Sequence, residues 1–537
     1  MEADTDWDFV IVGAGSAGCV VANRLSEDSR RRVLLIEAGG SDSHPFSKIP
    51  AAIGLAVMSR ALNWHFLSAA DPSRAGRVDM WPAGRLLGGG SSINGMMYVR
   101  GNRWDYDQWE TLGAAGWGYE GVLPYFKRLE HNERGSDAFR GSSGPQWVSE
   151  VRIDHPLTSA FVEGMVELGV PRNPDLNGAT QEGVGLCQVT QRKGVRHSTS
   201  AAYLAPIRGR RNLTVVTHAL VERVDFDGHR ATGVSYRVGN TVLRARARCG
   251  VVLSAGALST PKLLLLSGIG ASAALRQRGI DVRVDAPAVG KNLQEHPGLI
   301  VSPHVTTATL TSDLGPTAML RAGWSYLTQR RGPITTPVGF AHAFIRTRPQ
   351  LPAPNIQIIF SPSAFDHHER GATPYRKPAI TLAVGLCRVK SRGEVTLRSD
   401  RATDPPDIRY ALLGNEDDLE QLVEGVAFAR RLFTTREFGR YFVDERKPGV
   451  QFAGADELKE EIRRSSFLMY HPCGTCRMGE DAAAVVDSRL RVRGADALWI
   501  ADASVMPTLP AGNINATCIM IGEKAADLIL EQNPGVG

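Results

Sequence analysis

The sequence has no long apolar run and few cysteines, and both absences narrow its class. No apolar stretch reaches the roughly 18–20 residues that a helix needs to span a bilayer. The seven cysteines are scattered and odd in number, so they predict no disulfide framework. The start, MEADTDWDFVIV, is acidic and leads directly into an apolar run, unlike a secretory signal. We therefore expect a cytoplasmic enzyme without a transmembrane segment, and peripheral contact with a membrane stays open.

The charge balance is also unremarkable for the size of the chain. Sixty-two basic residues against 56 acidic ones leave a formal net charge of +6 over 537 residues. No basic stripe with interleaved aromatics occurs, so nucleic acid is not an expected partner. Cys473 and Cys476 form a CxxC without a second pair, which does not favour a metal site. We expect both thiols to pack beside the active site, with a redox disulfide as the alternative.

The N-terminus carries the pattern of a dinucleotide-binding fold. An apolar strand, residues 7–12, leads into the glycine-rich turn 13–18 (GAGSAG), a helix over 19–25 and a second apolar strand over 32–36. The glycines permit a tight turn and close approach of the backbone to a pyrophosphate at the helix N-terminus. Glu37 follows about twenty residues later, where a carboxylate binds a ribose 2′-hydroxyl. The residues predicted to contact the dinucleotide are Gly13, Gly15, Ser16, Ala17, Gly18, Glu37 and Ala38.

A second glycine-rich stretch, residues 84–107 (GRLLGGGSSINGMMYVRGNRWDYD), follows. Its glycines and short hydroxyls suit phosphate oxygens or the edge of a ring. The amide and the two methionines after them suit the face of a large planar ring. Alone, the stretch is also compatible with an ordinary Gly/Ser loop. The candidate cofactor contacts are Gly89, Ser91, Asn94, Gly95, Met96 and Met97.

A third stretch, residues 256–270 (GALSTPKLLLLSGIG), predicts a short buried helix bracketed by proline and glycine. Together with residues 84–107 it resembles the two signature sequences of the glucose–methanol–choline (GMC) family of flavoprotein oxidoreductases. The resemblance extends to residues 8–18, 289–296 (VGKNLQEH), 471–479 (HPCGTCRMG) and 505–523, and so spans the chain. It implies an FAD-dependent enzyme that oxidises the CH–OH group of a primary alcohol to an aldehyde by hydride transfer to flavin.

The same resemblance, with the element pattern, predicts the fold class. The βαβ pattern of the first hundred residues resumes at Leu213–Val216, 231–237, 251–254 and 497–501, before a last helix over 517–530. Residues 310–465 instead show alternating stretches at 355–360, 379–386 and 394–397, which predict strands, and a helical pattern at 417–432. This combination is typical of an antiparallel sheet with helices. We expect an α/β protein with a discontinuous Rossmann-type FAD-binding domain and an inserted α+β substrate-binding domain. The predicted bounds are 1–155, 207–309 and 466–537 for the first domain, and 156–206 and 310–465 for the second.

Two residues are the predicted catalytic pair. His471 is one of 13 histidines, but it lies close to the last predicted strand, where open α/β sheets bind ligands. A buried histidine without a catalytic role is the alternative. The resemblance implies that His471 is the catalytic base. The family's second position, histidine or asparagine, matches Asn515, which would hold the substrate oxygen or cap the last helix. The family's usual proline is replaced here by Ala516 and Thr517.

Further cofactor contacts follow from the resemblance. Asp502 matches an acidic residue near the ribityl chain and pyrophosphate, although a turn cap is the competing role. Val221 matches the position whose backbone meets the adenine. Ile93 replaces the histidine that binds flavin covalently in some members, so we expect non-covalent FAD. Other candidate contacts are Trp64, Ala503 and Thr517. For His296, bracing a turn is favoured over touching the substrate.

The electron acceptor and the substrate are less sharply indicated. Met469, near the base, would hinder oxygen, which favours a dehydrogenase that uses a quinone or another carrier over an oxidase. A non-oxidising flavoprotein, such as a lyase or photodecarboxylase, is disfavoured by the presence of His471 and Asn515. A neutral or aromatic primary alcohol is the expected substrate. Candidate lining residues in the second domain are Phe340, His342, Phe360 and Phe365.

Overall fold

The first sheet is centred on a strand that is buried on both faces. The computed structural model describes residues 6–368 and 371–533, and this strand, Asp6–Val12, is its first element. Its neighbours Val33–Ile36 and Thr241–Leu253 both run parallel to it. Continuous apolar runs are typical of such doubly covered parallel strands. Residues 1–5 of the acidic start, which helped to predict a cytoplasmic protein, lie outside the described residues.

The sheet unites segments that are far apart in sequence. Leu213–Val216 extends it beyond Val33–Ile36, and Leu498–Ile500 pairs in parallel with the end of Thr241–Leu253. The first half of Thr241–Leu253 continues instead into an antiparallel meander with Arg230–Val238 and Ala219–Asp227. The predicted strands near 213, 231, 251 and 497 therefore all belong to this sheet.

A second sheet is antiparallel. Its order is Phe442–Lys447, Pro297–Val305, Thr381–Leu386, Ile356–Ser361, Ala341–Ile345 and Gly183–Leu186, with Phe467–Leu468 also pairing with Pro297–Val305. Pro297–Val305 and Phe467–Leu468 fall inside the segments predicted for the FAD-binding domain. Alternation along a strand indicates its buried face but not its partner, so the sequence did not show that these two strands pair within the second sheet.

Short paired segments complete the β-structure. The predicted strand near 394–397, Gly393–Leu397, forms a separate hairpin with Pro406–Tyr410 instead of joining the second sheet. The other small sheets are Phe66–Leu67 with Met80–Trp81, Glu130–Asn132 with Gln146–Glu150 and Gln188–Val189, Gln191–Arg192 with Val195–Arg196, Ile269–Gly270 with Val284–Asp285, and Phe365–His368 with Gly371–Pro374.

The helices of the described residues lie around these sheets. They are α1 (Ser16–Leu25), α2 (Ile53–Met58), α3 (Arg103–Thr111), α4 (Tyr119–Leu129), α5 (Pro156–Glu167), α6 (Thr260–Leu266), α7 (Ser272–Arg276), α8 (Pro316–Gln329), α9 (Glu416–Arg431), α10 (Arg436–Gly439), α11 (Ala455–Ser465) and α12 (Asn515–Gln532). Across the described ranges, no helix has the length and apolarity that crossing a membrane requires.

The last helix packs against the first. A Cβ at Gly522 of α12 would lie 2.9 Å from the Val20 Cβ of α1, so the two helices approach closely at this glycine. Arg24 on α1 also forms a salt bridge to the buried Glu523, at 2.8 Å. The N-terminus of α12 thereby reaches the glycine-rich turn that precedes α1.

Candidate functional site

The glycine-rich turn accepts only glycine at two of its positions. Gly13 has φ of 95°, and a Cβ there would lie 2.6 Å from the Ser254 carbonyl oxygen. A Cβ at Gly18 would lie 1.9 Å from the Gly13 oxygen, so helix and strand meet at this residue. The second glycine-rich stretch lies directly on this turn, because a Cβ at Gly89 would be 2.7 Å from the Gly15 Cα. Local sterics therefore explain the motif and bring both predicted segments together.

Glu37 ends the second strand beside the turn. Its carboxylate accepts hydrogen bonds from the Ala14 N–H at 2.9 Å and the Gly39 N–H at 2.8 Å. Burial raises the pKa of Glu37 to about 7, and these backbone donors oppose that rise. The side chain is thus fixed in direction before any ligand binds.

A cavity of about 470 Å³ runs from this turn to the predicted base. Its walls bring together segments from both sheets and from both ends of the chain. The predicted residues that line it are Gly13, Gly15, Ser16, Ala17, Glu37, Ala38, Trp64, Gly89, Asn94, Gly95, Met96, Met97, Val221, His471, Asp502, Ala503 and Asn515. The lining residues extend from the glycine-rich turn to His471. This arrangement fits a dinucleotide joined to a planar ring.

Three predicted contacts lie behind the wall instead of on it. Gly18 packs against Gly13, as described above. The Ser91 hydroxyl donates to the Gly88 carbonyl oxygen at 2.6 Å, and the buried Thr517 hydroxyl lies 2.9 Å from that of Tyr106. The Ser91 and Thr517 hydroxyls are hydrogen-bonded within the protein. Both residues therefore support the wall from behind and do not line the cavity.

Asp502 caps a turn and also lines the cavity. One carboxylate oxygen accepts from the Ser504 N–H at 2.8 Å, which caps the following turn. The other accepts from the Gly256 N–H at 2.9 Å and the Thr260 hydroxyl at 2.6 Å. It therefore ties the GALST stretch to the segment that follows the strand Leu498–Ile500 while it lines the cavity.

A buried arginine that the sequence did not single out orients Asn94. Arg196 is 2 % exposed, and its guanidinium donates to the Asn94 side-chain oxygen at 2.8 Å. The Met96 N–H donates to the same oxygen at 3.0 Å. With its oxygen occupied twice, the Asn94 amide can present its N–H groups to the cavity. No motif identified Arg196, because its role depends on a contact between distant segments.

His471 is held by a chain of hydrogen bonds. Its Nδ1 lies 2.9 Å from Nδ1 of His296, whose Nε2 lies 3.0 Å from the Cys387 carbonyl oxygen. A carbonyl only accepts, so His296 must carry its proton on Nε2 and accept at Nδ1. His471 therefore carries its proton on Nδ1 and leaves Nε2 bare. His296 thus braces the base, a role that the sequence did not assign.

Burial sets the charge of this pair. It lowers the pKa of His471 to about 3 and holds that of His296 well below its usual value. The carboxyl of Glu295 accepts the backbone N–H of His471 at 2.7 Å and that of His296 at 2.9 Å. Burial also raises the pKa of Glu295 to about 8. Both imidazoles are accordingly neutral near pH 7, as a proton acceptor must be.

The side chain that contacts the bare nitrogen of His471 is that of Asn513, which the sequence did not single out. The Asn513 Nδ2 lies 3.0 Å from the bare Nε2 of His471. The Asn513 oxygen is buried and has no hydrogen-bond partner among the described residues. Asn515 starts α12, lines the cavity and accepts from the Ser16 hydroxyl at 2.7 Å, beside the glycine-rich turn. Although only two residues apart, Asn513 contacts the base and Asn515 contacts the first residue of α1.

The wall nearest His471 is apolar and comes mainly from the second sheet and its loops. It includes Val338, Ile359, Ala383, Phe467, Met469 and Tyr470. The candidate residues Phe340, His342 and Phe360 are instead buried in the core, and Phe365 lies off the cavity wall. Successive side chains of a strand point to opposite faces, so Ile359 faces the cavity where Phe360 does not.

The CxxC cysteines pack close behind His471. Cys473 and Cys476 are buried free thiols, and burial raises the pKa of both. The Cys473 backbone pairs with that of Gln294, which links this loop to the one that carries His296. Within the described ranges, no cluster of three histidine, cysteine or acidic side chains could hold a metal ion.

Comparisons with known proteins agree with this geometry. The family models for GMC oxidoreductases match residues 7–298 and 389–522. An alcohol dehydrogenase [acceptor] of Pseudomonas putida is 39 % identical over 98 % of this chain and 96 % of its own. An oxygen-dependent choline dehydrogenase of Brucella canis is 40 % identical over the same shares. The crystal structure of pyridoxine 4-oxidase from Mesorbium loti superimposes with a TM-score of 0.88 at 32 % identity, covering 97 % of this chain and 98 % of that one.

The family and the fold class predicted from the sequence are thus confirmed, together with the class of reaction. Two family models cover most of the chain, relatives match it end to end, and the cavity unites the motifs that carry the resemblance. The chain belongs to the GMC oxidoreductases, and it is an FAD-dependent enzyme that acts on CH–OH groups.

Proposed function

We propose that the enzyme oxidises a neutral primary alcohol to an aldehyde, with His471 as the base. One contact supports this role above all others. The bare Nε2 of His471 and the Nδ2 of Asn513 lie 3.0 Å apart at the apolar end of the cavity. An acceptor and a donor placed side by side fit the oxygen of a hydroxyl group that must lose its proton.

The proton transfer follows from the tautomer. The substrate O–H donates to His471 Nε2, the O–H bond breaks, and the proton remains on that nitrogen. Nδ1 keeps its own proton, bonded to His296, so the imidazolium that forms stays oriented. Bound FAD would supply the acceptor for the carbinol hydrogen as a hydride, so that loss of this hydride and of the hydroxyl proton would leave an aldehyde.

Asn513 complements the base. When the substrate oxygen displaces the contact to His471, the Asn513 amide N–H can donate to that oxygen. The donor stabilises the negative charge that develops as the proton leaves. Its own oxygen is buried and has no hydrogen-bond partner among the described residues.

The residues of the cavity fit FAD, which we propose to be held without a covalent bond. The turn 13–18 would hold the pyrophosphate, Glu37 the ribose, and the backbone of Val221 the adenine. Asn94 and the two methionines Met96 and Met97 would lie along the ring. Ile93 lines the cavity with a side chain that offers no atom for a covalent link.

The substrate follows from the wall beside the base. The acidic residues among the lining residues are Glu37 and Asp502, and backbone or hydroxyl donors occupy the carboxylates of both. Neither belongs to the apolar group of residues around His471. A cation such as choline would therefore lack a counter-charge there, and a neutral alcohol is favoured.

We further propose that the electrons pass to a quinone or another carrier. Met469 lines the cavity near His471, and its sulfur packs so closely that a Cβ at Gly385 would lie 2.2 Å from it. This thioether narrows oxygen access to the reacting end. The name of the Pseudomonas putida relative, alcohol dehydrogenase [acceptor], agrees with this assignment. A cytoplasmic location stays a prediction.

Rapid mixing of the holoenzyme with alcohol under anaerobic conditions tests the base. His471→Ala should retain FAD but slow flavin reduction by about 10²–10⁴-fold. The difference in rate from the unmodified enzyme should shrink as pH rises, because an ionised alcohol has no hydroxyl proton for a base to remove. His342→Gln is the matched control, a buried histidine off the cavity wall, and should react at the normal rate. Near-normal reduction in the His471 variant would place the base elsewhere.

A panel of alcohols separates the acceptors. Each alcohol is assayed with oxygen and with an artificial dye as the acceptor. Turnover with the dye that greatly exceeds turnover with oxygen supports a dehydrogenase. Equal or faster turnover with oxygen would make the enzyme an oxidase and overturn the acceptor proposed here.

A further inference from the structure

Helix α8 turns its large apolar side chains away from the protein. Leu320, Trp324 and Leu327 are 75 %, 70 % and 72 % exposed, and Met319 is 57 % exposed. At 100° per residue the four side chains fall within about 140° of the helix circumference. We call them the α8 patch. Monomeric proteins seldom leave such a contiguous group of large apolar side chains in water.

Apart from Tyr326, the inner side of α8 is made of smaller residues. Ala322 is buried, while Ala318, Ser325 and Tyr326 are half-buried. This arrangement reverses the usual amphipathic helix, whose largest apolar side chains face the core. The outward face of α8 is therefore not required for packing within the chain.

We propose that the α8 patch docks into the interface of a lipid bilayer that carries anionic headgroups. Three exposed arginines, Arg321, Arg330 and Arg331, accompany the patch. The sequence contains no acidic residue between Asp313 and Asp366. Leucine and tryptophan on one face with arginines beside them match helices that lie in the plane of a membrane interface.

The charges argue against a second copy of the chain as the occupant. In a symmetric dimer the same patch faces itself, so the arginines of both copies would approach each other. Anionic headgroups would instead neutralise them. The Arg330 guanidinium already lies over the Tyr326 ring at 4.8 Å, near the end of the helix, where it can reach a headgroup.

The patch is connected to the cavity wall. Helix α8 contacts the turn Pro333–Thr335, which contacts Pro50–Ala52 at the start of α2. Ile53 and Val57 of α2 line the cavity, as does Val338 after the turn. Docking would bring this wall close to the lipid and to an acceptor dissolved in it. That last consequence rests on the proposed acceptor, whereas docking itself does not.

Flotation of the holoenzyme with lipid vesicles tests the inference. The enzyme should float with vesicles of mixed phosphatidylcholine and phosphatidylglycerol. Leu320→Ser, Trp324→Ser and Leu327→Ser combined should lower the bound fraction at least about tenfold, because three anchors are lost. Val242→Ser, which removes an exposed apolar side chain from the first sheet, is the control and should float normally. Replacing each arginine by glutamine should weaken binding to these vesicles about fivefold.

Two results would overturn the inference. One is a holoenzyme that remains in the soluble fraction with these vesicles. The other is a triple variant that floats as well as the unmodified chain. Size-exclusion chromatography tests the other occupant of the patch. A dimeric unmodified enzyme with a monomeric triple variant would assign the patch to self-association. FAD content and dye reduction in solution should be normal in every variant, so failure here is distinguishable from failure of the proposed activity.

Discussion

Nδ1 of His296 lies 2.9 Å from Nδ1 of His471, and the Cys387 carbonyl oxygen decides which of the two carries the shared proton. The carbonyl fixes the proton of His296 on Nε2, and this in turn fixes that of His471 on Nδ1. The atom that faces the substrate is bare as a result. The Cys387 oxygen is linked to His471 by two successive hydrogen bonds, through His296. It therefore selects the tautomer of the base.

Replacing His296 should impair the base without removing it. His296→Ala leaves the His471 Nδ1–H without an acceptor, at a cost of about 1–1.5 kcal/mol, or roughly tenfold in anaerobic flavin reduction. His296→Gln offers an amide oxygen and should recover part of the rate. If His296 acts only through His471, the double variant should be no slower than His471→Ala. A further slowing in the double variant would give His296 an independent role.

Asn513 and Asn515 should separate chemistry from cofactor binding. Asn513→Ala removes a donor to the substrate oxygen and should slow flavin reduction about 10²-fold, with FAD content unchanged. Asn515→Ala removes the contact to Ser16 and should affect FAD retention more than the rate. Rapid mixing and the ratio of flavin to protein absorbance measure the two effects. The opposite pattern would favour Asn515 as the substrate's partner.

Glu37 should control the affinity for FAD. Glu37→Ala removes a charged acceptor, and a hydrogen bond of about 1.5–3 kcal/mol corresponds to roughly 10–100-fold weaker binding. Glu37→Gln is the matched control, because it keeps the size and one acceptor oxygen. Flavin content after gel filtration and dilution gives the affinities. An unchanged content in the alanine variant would mean that Glu37 does not hold the ribose.

The flavin should leave the denatured protein intact. Ile93 lines the cavity where a covalent link would need a histidine. Acid precipitation should therefore release free FAD into the supernatant, where its absorbance and chromatographic mobility identify it. Yellow colour retained in the washed pellet would show a covalent bond.

The buried His342 should make the protein more sensitive to acid. Burial lowers the pKa of His342 to about 3, whereas an unfolded histidine has a pKa of about 6.5. Below about pH 6.5 the unfolded chain binds a proton that the folded chain excludes, so stability falls as pH falls. The free energy of unfolding of the unmodified chain should decrease relative to His342→Gln by about 1.4 kcal/mol per pH unit. Parallel urea-unfolding midpoints for the two proteins across this range would contradict the burial assigned to His342.

The sequence predicted those features of the site that depend on local sterics. The positive φ of Gly13 and the contact of Gly18 with the Gly13 oxygen both arise within one strand–turn–helix unit, so a pattern of neighbours identifies these glycines. The sequence did not single out Asn513, because only tertiary structure shows that its amide faces His471. His296 and Arg196 act through partners far away in sequence. Their types and positions alone gave no sign of these contacts.

The second sheet shows the same limit. Ile356–Ser361 and Thr381–Leu386 were predicted as strands from their patterns, but the partners of Pro297–Val305 were not. Pairing depends on contacts between segments that the sequence separates widely. Phe340, His342 and Phe360 were candidates for the substrate wall but lie in the core. The face of each strand could not be assigned without its neighbours.

The hydrogen bond between Ser16 and Asn515 joins residues 499 positions apart, so its two partners are synthesised at very different times on the ribosome. At 5–20 residues per second, roughly 25–100 s pass between translation of the glycine-rich turn and of the helix that covers it. Throughout that interval the apolar side of α1 lacks its final partner and must stay protected from aggregation. Slow assembly from both ends of the chain should therefore make the yield of active enzyme depend on chaperones and growth temperature more than on the stability of the finished fold.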